Sequence, residues 1–205
     1  MMRNRWIAAV IAVSAASCGW TLAGGIATGD AAPDFALPDT RGNTHGLKDY
    51  PGKYVVLEWT NYECPFVKKH YNSGNMQALQ KTYTDKGVVW LTICSSARGK
   101  QGNAEADEIH RTNGANGFAA TAYLIDEDGA VGKKFGARTT PHLFIINPDR
   151  KLGYQGAIDS VRSTDPKDVP EAMNYVREYL DLMMNGESPS HTTTQPYGCG
   201  VKYGG

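Results

Sequence analysis

The chain has 205 residues, 41% of them apolar, and 21 basic side chains balance 21 acidic ones. This length supplies one well-buried core and is short for two independent cores. The balanced charge, with no extended basic stripe, argues against nucleic acid as a partner.

The N-terminal segment differs from the rest of the chain. The basic start MMRNR precedes an uncharged stretch over residues 6–27, which is the layout of a secretory signal. We therefore predict a signal peptide over residues 1–27 and a periplasmic or secreted protein. Two alternatives stay open: an uncleaved membrane anchor, or a lipid on Cys18, which follows Ala-Ala-Ser. All three interpretations export the remainder of the chain.

Residues 32–186 carry the pattern of one α/β domain. Prolines and glycines after Ala32 predict an N-terminal hairpin or arm. Residues 54–60 and 88–94 are short β-branched and aromatic runs typical of buried strands. The helical spacing between them, with a break or kink near residues 72–75, predicts a strand, helix, strand unit.

The second half predicts shorter elements. We expect a helix over residues 104–112, a strand and turn over 123–129 and a short helix ending near Gly136. Residues 142–147 and 152–157 predict an antiparallel hairpin, and Asp168–Met184 predicts a final amphipathic helix. The polar residues 187–205 are typical of a disordered tail, except that they contain Cys199.

Three cysteines follow the predicted signal: Cys64, Cys94 and Cys199. Their odd number leaves at least one thiol free, buried or paired with another molecule. Cys64 lies where a predicted strand ends and a helix begins, with Pro65 at the first helical position. The helix dipole and backbone N–H groups at this place favour the reactive thiolate. The neighbouring Glu63 opposes it, because a like charge disfavours ionisation.

The order of these elements resembles the thioredoxin-like superfamily: a strand, Cys64-Pro65 at a helix start, a second strand, and Thr139-Thr140-Pro141 before a hairpin. The segments APDFALPDTRG, EWTNYECPFVKKHY, RTTPHLFIINPD and GCGVKY resemble its redoxin branch, related to alkyl hydroperoxide reductase and thiol-specific antioxidant proteins. The resemblance implies a three-layer sandwich with a mixed sheet and helices on both faces. It also implies a cis bond before Pro141, next to Cys64, where the preceding backbone pairs with a bound thiol substrate.

The chain departs from its relatives in two ways. Val67 stands where a thioredoxin-type dithiol has its second cysteine, so a local CxxC cycle is impossible. Peroxiredoxins carry a Thr three residues before the reactive Cys and an Arg before the later strand. Here Thr60 lies four residues before Cys64, and Arg138 is the candidate replacement for that Arg.

An oxidised Cys64 then needs a resolving thiol from elsewhere. Cys199, in a Gly-flanked segment that can swing or dock, is a better candidate than Cys94, which we expect to pack at a strand end. We expect His70 on the helix surface or at an interface, and His142 either lining the site or on a strand surface.

These observations predict an exported thiol-dependent oxidoreductase, peroxiredoxin-like or antioxidant in character, that reduces a disulfide or a peroxide through Cys64. Its partner would be a thiol or disulfide protein, with no cofactor and no resident metal. The predicted catalytic residues are Cys64 and Cys199, and the predicted substrate contacts are Thr140, Pro141, Pro65, Thr60 and Arg138. The alternative is an inactive binding module that uses the Pro141 groove for a partner protein or for copper held by Cys64, His70 and His142.

Overall fold

The structure, a computed structural model, describes residues 25–205. Cys18 and the predicted signal segment up to residue 24 lie outside the described residues. Among the helices of residues 25–205, none is long and apolar enough to cross a membrane.

The centre of the fold is a five-stranded mixed sheet in the order β5-β4-β3-β7-β8. In the middle, β3 is parallel to β4 and antiparallel to β7, while β5 extends the parallel half. The strands are β1 (Leu37–Pro38), β2 (Thr44–His45), β3 (Val55–Trp59), β4 (Val89–Cys94), β5 (Ala122–Ile125), β6 (Thr139–Thr140), β7 (His142–Ile146), β8 (Leu152–Gly156) and β9 (Cys199–Gly200). The predicted N-terminal hairpin is β1–β2, and the predicted antiparallel hairpin is β7–β8.

Helices cover both faces of this sheet, as the three-layer prediction required. The helices are α1 (Pro65–Asn72), α2 (Asn75–Asp85), α3 (Ala106–Asn116), α4 (Ala130–Phe135) and α5 (Tyr175–Met184). Alternation along β3 divides the core, since Val56 packs with α1, α2 and α5 while Leu57 and Trp59 pack with α4 and the N-terminal arm. The predicted break between α1 and α2 occurs at Ser73–Gly74, where Gly74 has φ +74°.

The prediction of a helix from Asp168 to Met184 is wrong in its first half. Residues Pro166–Asp168 form one 3-10 turn, and α5 begins only at Tyr175. Pro170 lacks a backbone N–H and disfavours a continuous helix through this segment. The Asn174 side chain accepts a hydrogen bond from the Arg177 backbone N–H at 2.9 Å, so the true start has its own cap.

The C-terminal tail is docked rather than disordered. Its strand β9 pairs antiparallel with β6, with Cys199 opposite Thr140 and Gly200 opposite Thr139. The backbone N–H of Val201 donates to Arg138 O at 3.1 Å, and that of Ala97 donates to Lys202 O at 2.9 Å. Residues 197–203 therefore lie across the end of the sheet at which Cys64 is found. This segment is the strap.

Candidate functional site

Cys64 is the N-cap residue of α1, directly before Pro65 at the first helical position. Its backbone N–H donates to Asn61 O at 2.9 Å, and its carbonyl accepts from the Lys68 N–H at 2.9 Å. The strand β3 and the helix therefore fix the sulfur at the helix N-terminus, as predicted. The side chain is fully buried, since its exposed fraction is 0%.

Thr140 and Pro141 form the wall opposite Cys64. The Thr140–Pro141 peptide bond is cis, which confirms the prediction from the resemblance. The Cys64 thiol donates to the Thr140 carbonyl oxygen, with a Sγ···O distance of 3.0 Å. Thr140 itself is 2% exposed, so the strap covers this wall.

The strap brings Cys199 to the same place. Because Cys199 pairs with Thr140, whose carbonyl contacts Cys64, the two thiols are neighbours and both are reduced in this structure. Gly198 makes the approach possible: an added Cβ would overlap the Thr140 carbonyl oxygen and lie 2.7 Å from its carbon. Its φ of +142° is also a conformation that glycine adopts readily and other residues do not.

The two thiols have opposite acidities. Burial alone would raise the pKa of Cys64, but hydrogen bonds from the Cys199 thiol and from the Val67 and Cys199 backbone amides outweigh it and lower the pKa. Burial and the adjacent Cys64 sulfur raise the pKa of Cys199 to about 11. Cys64 is therefore the more acidic of the two thiols and the better candidate nucleophile, and Cys199 is the more basic one.

Sequence comparison assigns this arrangement to a family. The model of the AhpC/TSA family matches residues 28–155, which include Cys64, Thr140 and Pro141. The chain belongs to the AhpC/TSA family. The match ends before the strap, so the place of Cys199 is known from the structure.

The relatives of this AhpC/TSA member include named thiol-disulfide proteins. It is 30% identical over 152 residues to the thioredoxin-like protein YneN of Bacillus subtilis, covering 63% of this chain and 88% of that protein. It is 28% identical over 128 residues to the thiol-disulfide oxidoreductase ResA of Geobacillus thermodenitrificans, covering 62% and 67% of the two chains. A solved structure of an uncharacterised conserved protein from Geobacillus kaustophilus superposes with a TM-score of 0.76 at 25% identity, covering 89% of this chain and 96% of that one.

The other predicted substrate contacts of this family member lie around the two thiols in different ways. Pro65 is exposed next to Cys64. Thr60 follows β3 and is 1% exposed, with no hydrogen-bond partner for its hydroxyl among the described residues. Arg138 is exposed, and its backbone rather than its guanidinium engages the strap. Cys94 packs at the end of β4, as predicted, where its thiol donates to Gly102 O at 3.3 Å.

The two candidate histidine ligands do not converge on Cys64. His70 is fully buried rather than at the helix surface, with Nδ1 next to Asn75 and Nε2 next to Tyr197. His142 is 2% exposed, its ring centroid lies 4.4 Å from that of the tilted Phe144 ring, and its Nδ1 accepts from the Arg138 backbone N–H. Across residues 25–205, no group of three or more His, Cys, Asp or Glu residues is arranged to hold a metal. The copper-binding alternative is therefore not favoured.

Sequence reasoning missed the residues that anchor the strap. On the α1 side, the Tyr197 hydroxyl donates to Asp159, whose second oxygen pairs with Lys69 Nζ at 3.2 Å. On the α4 side, the Tyr203 hydroxyl donates to Ala137 O at 2.7 Å, and Lys133 lies 5.6 Å from the ring centroid. The available signal was the pair of tyrosines that brackets Cys199 in YGCGVKY.

A second buried acid was also missed. Glu58, on β3, is 0% exposed and accepts hydrogen bonds from Tyr71, Gln80, Trp90 and Thr92 at 2.8–3.1 Å. Burial raises its pKa, although the four donors act in the opposite direction. Tyr71 and Gln80 belong to α1 and α2 and the other two donors to β4, so Glu58 ties these two helices to the sheet.

Proposed function

We propose that this protein catalyses thiol-disulfide exchange, with Cys64 as the attacking thiol and Cys199 as the resolving thiol. The observation that supports the proposal is the β6–β9 pairing, which sets Cys199 opposite Thr140, the residue whose carbonyl contacts Cys64, and the lowered pKa of Cys64 agrees with it. The names of the relatives support a disulfide as the substrate class.

The exchange takes two steps that balance in sulfur and in electrons. The Cys64 thiolate attacks one sulfur of a substrate disulfide, so that a mixed disulfide forms and the first substrate thiolate leaves. Cys199 then loses its proton and attacks Cys64 Sγ, which expels the second substrate thiolate and forms the Cys64–Cys199 disulfide. The substrate gains two electrons, and the cysteine pair loses two. A dithiol protein or two low-molecular-weight thiols must return them in each turnover.

The acidities fit these roles. In the first step a thiolate is required, and Cys64 is the thiol whose pKa is lowered. After the mixed disulfide forms, Cys64 no longer carries charge, so the interaction that raises the pKa of Cys199 is removed. The formation of the mixed disulfide thus activates the second thiol.

Contacts to the substrate are proposed for the residues around Cys64. Pro65 and Arg138 are exposed and available to an incoming partner, while Thr60, Thr140 and Pro141 line the buried side. The hydroxyls of Thr60 and Thr140 have no hydrogen-bond partner among the described residues, and we propose that they are available to a bound substrate. We further propose that the protein acts outside the cytoplasm, on the support of the basic start and uncharged stretch of residues 1–27.

The test is to trap the predicted disulfide and to remove each thiol. Oxidised glutathione and hydrogen peroxide are applied separately to a Cys94→Ser protein, and the products are mapped by peptide mass spectrometry. We expect oxidised glutathione to yield the Cys64–Cys199 disulfide. Cys199→Ser should stop at glutathionylated Cys64, and Cys64→Ser should not react.

Two outcomes would change this assignment. A reaction with peroxide that is much faster than with oxidised glutathione would assign a peroxidase instead. Absence of a Cys64–Cys199 disulfide with either oxidant would overturn the exchange mechanism.

A further inference from the structure

Four buried polar side chains connect the strap to α1 and take no part in the exchange steps. They are Lys69, His70, Asp159 and Tyr197, with exposed fractions of 1%, 0%, 2% and 4%. Buried ionisable groups are expensive unless they are paired and hydrogen-bonded. We therefore expect this cluster, which joins the strap to α1, to have a structural or functional role.

The hydrogen bonds of the cluster form a chain of donors that leads from Asn75 through His70 and Tyr197 to Asp159. The Asn75 side-chain amide lies 2.9 Å from His70 Nδ1 and donates to it, which leaves the ring proton on Nε2, 3.3 Å from the Tyr197 hydroxyl oxygen. The Tyr197 hydroxyl in turn donates to Asp159. Burial lowers the pKa of His70 to about 4, so the ring is neutral and keeps this tautomer near neutral pH.

Lys69 completes the cluster. Its Nζ donates to Asp159 Oδ2 at 3.2 Å and to Val161 O at 2.8 Å, and it lies 5.7 Å from the centroid of the Tyr197 ring. Phe66 packs against the same ring at a centroid distance of 5.8 Å. Tyr197 is thus held through its ring and through its hydroxyl.

The position of the cluster in the chain links the two thiols. Lys69 and His70 belong to α1, the helix that Cys64 caps, whereas Tyr197 lies two residues before Cys199. By contrast, β9 itself is only two residues long. The backbone pairing of the strap is therefore short, and the side-chain cluster is its main attachment on the α1 side.

We propose that Lys69, His70, Asp159 and Tyr197 are positioning residues that hold the strap closed over Cys64 and keep Cys199 in place to resolve it. The proposal rests on the thiol-disulfide exchange assigned above. As a consequence, Tyr197 must leave Asp159 before a polypeptide partner can reach the buried Cys64 sulfur. The same movement exposes the Thr139–Thr140 edge that β9 occupies. The cluster thus sets both the access of the partner and the rate of resolution.

The test compares two tyrosine variants in a Cys94→Ser background. Tyr197→Phe keeps the ring and removes the hydroxyl that donates to Asp159. Its matched control is Tyr179→Phe, because Tyr179 is 2% exposed, packs on the same sheet face and donates to Asn147 Oδ1 at 3.0 Å rather than to the cluster. For each reduced protein, the alkylation rate of Cys64 by iodoacetamide is measured by peptide mass spectrometry, and the melting temperature is recorded.

Tyr197→Phe should accelerate Cys64 alkylation by about tenfold or more, since alkylation of a buried thiol proceeds through the open strap and a hydrogen bond to a charged group is lost. It should also slow closure of the Cys64–Cys199 disulfide after Cys64 is glutathionylated. Tyr179→Phe should leave both rates near those of the parent protein, even where it lowers the melting temperature.

Equal rates in Tyr197→Phe and the parent would overturn the positioning role and leave the exchange function intact. Acceleration in both tyrosine variants, in proportion to their loss of thermal stability, would overturn it as well, because Cys64 would then react through global unfolding. If Tyr197→Phe does not fold, His70→Leu and His70→Gln supply the comparison. His70→Leu should accelerate alkylation of Cys64. His70→Gln restores a donor to Tyr197 and should not accelerate it. Failure of the parent protein to form the disulfide would count against the exchange function alone.

Discussion

Replacing Gly198 by alanine should open the strap without unfolding the protein. Gly198 has φ +142°, and an added Cβ would overlap the Thr140 carbonyl oxygen and lie 3.2 Å from Pro141 N. Both obstacles belong to the backbone, so a side-chain rotation cannot relieve them. The strap must move away from β6 instead.

The size of the effect follows from the backbone conformation. Holding a non-glycine residue in a conformation of this kind costs about 1–3 kcal/mol. Since about 1.4 kcal/mol is a factor of ten in an equilibrium constant, the open fraction of the strap should rise by roughly 5- to 150-fold. The loss is confined to the strap because the strap can leave while the sheet and helices stay packed.

The assay is the iodoacetamide alkylation rate of Cys64 in a Cys94→Ser background. Gly200→Ala is the matched control, because Gly200 lies in the same strap and its added Cβ would approach nothing nearer than Arg138 O at 4.0 Å. Gly198→Ala should react faster by the factor above, with a small change in melting temperature, and Gly200→Ala should react like the parent. A Gly198→Ala protein that protects Cys64 as well as its Gly200→Ala control would refute the reasoning.

Three further predictions concern acidity and buried charge. Cys199→Ala should raise the pKa of Cys64, because it removes one of the donors to the thiolate. The measurement is a titration of thiolate absorbance at fixed protein concentration, and a titration that showed no rise in the pKa would contradict the prediction. Burial lowers the pKa of His142 to about 3, so below about pH 6.5 the unfolded chain binds a proton that the folded protein does not, and stability falls as the pH falls. His142→Gln should therefore flatten the dependence of the unfolding free energy on pH by up to about 1.4 kcal/mol per pH unit between pH 6 and 4. Urea denaturation at each pH measures this dependence, and parallel curves for the variant and the parent would contradict the prediction. Glu58→Gln should destabilise the protein by about 1–3 kcal/mol, because the new amide NH2 is itself a donor and would face the side-chain donors that now bind the Glu58 carboxylate. An unchanged midpoint of urea denaturation would contradict this prediction.

The sheet and the Cys64 position were predictable because their signals are local. The β-branched run before Cys64 and the Pro65 at the first helical position identify a strand and a helix start without reference to the rest of the chain. The break at Ser73–Gly74 is equally local. The helix predicted from Asp168 failed for the opposite reason: its apolar spacing was helical, but Pro170 prevailed over it.

The strap and its anchors were not predictable, because they depend on contacts between residues far apart in the sequence. Nothing in the composition of residues 187–205 shows that Tyr197 reaches Asp159 or that Tyr203 reaches the carbonyl of Ala137. The burial of His70 was not predictable for the same reason, since the partner of its Nε2, Tyr197, comes from the tail. The cis bond before Pro141 was predictable only through the family resemblance.

In the proposed mechanism, the strap supplies the second thiol that is absent from position 67. In a CxxC pair, both thiols belong to one helix turn, so their separation is fixed by the backbone. Here the second thiol arrives on a separate segment, and each degree of freedom of that segment must be removed by non-covalent contacts. Tyr197 and Tyr203 fix its two ends on opposite faces of the sheet, and Gly198 lets the backbone between them approach Thr140 closely. An arrangement held in this way, unlike one fixed by a helix, can open. In the proposed mechanism, the same contacts therefore govern both resolution by Cys199 and exposure of Cys64.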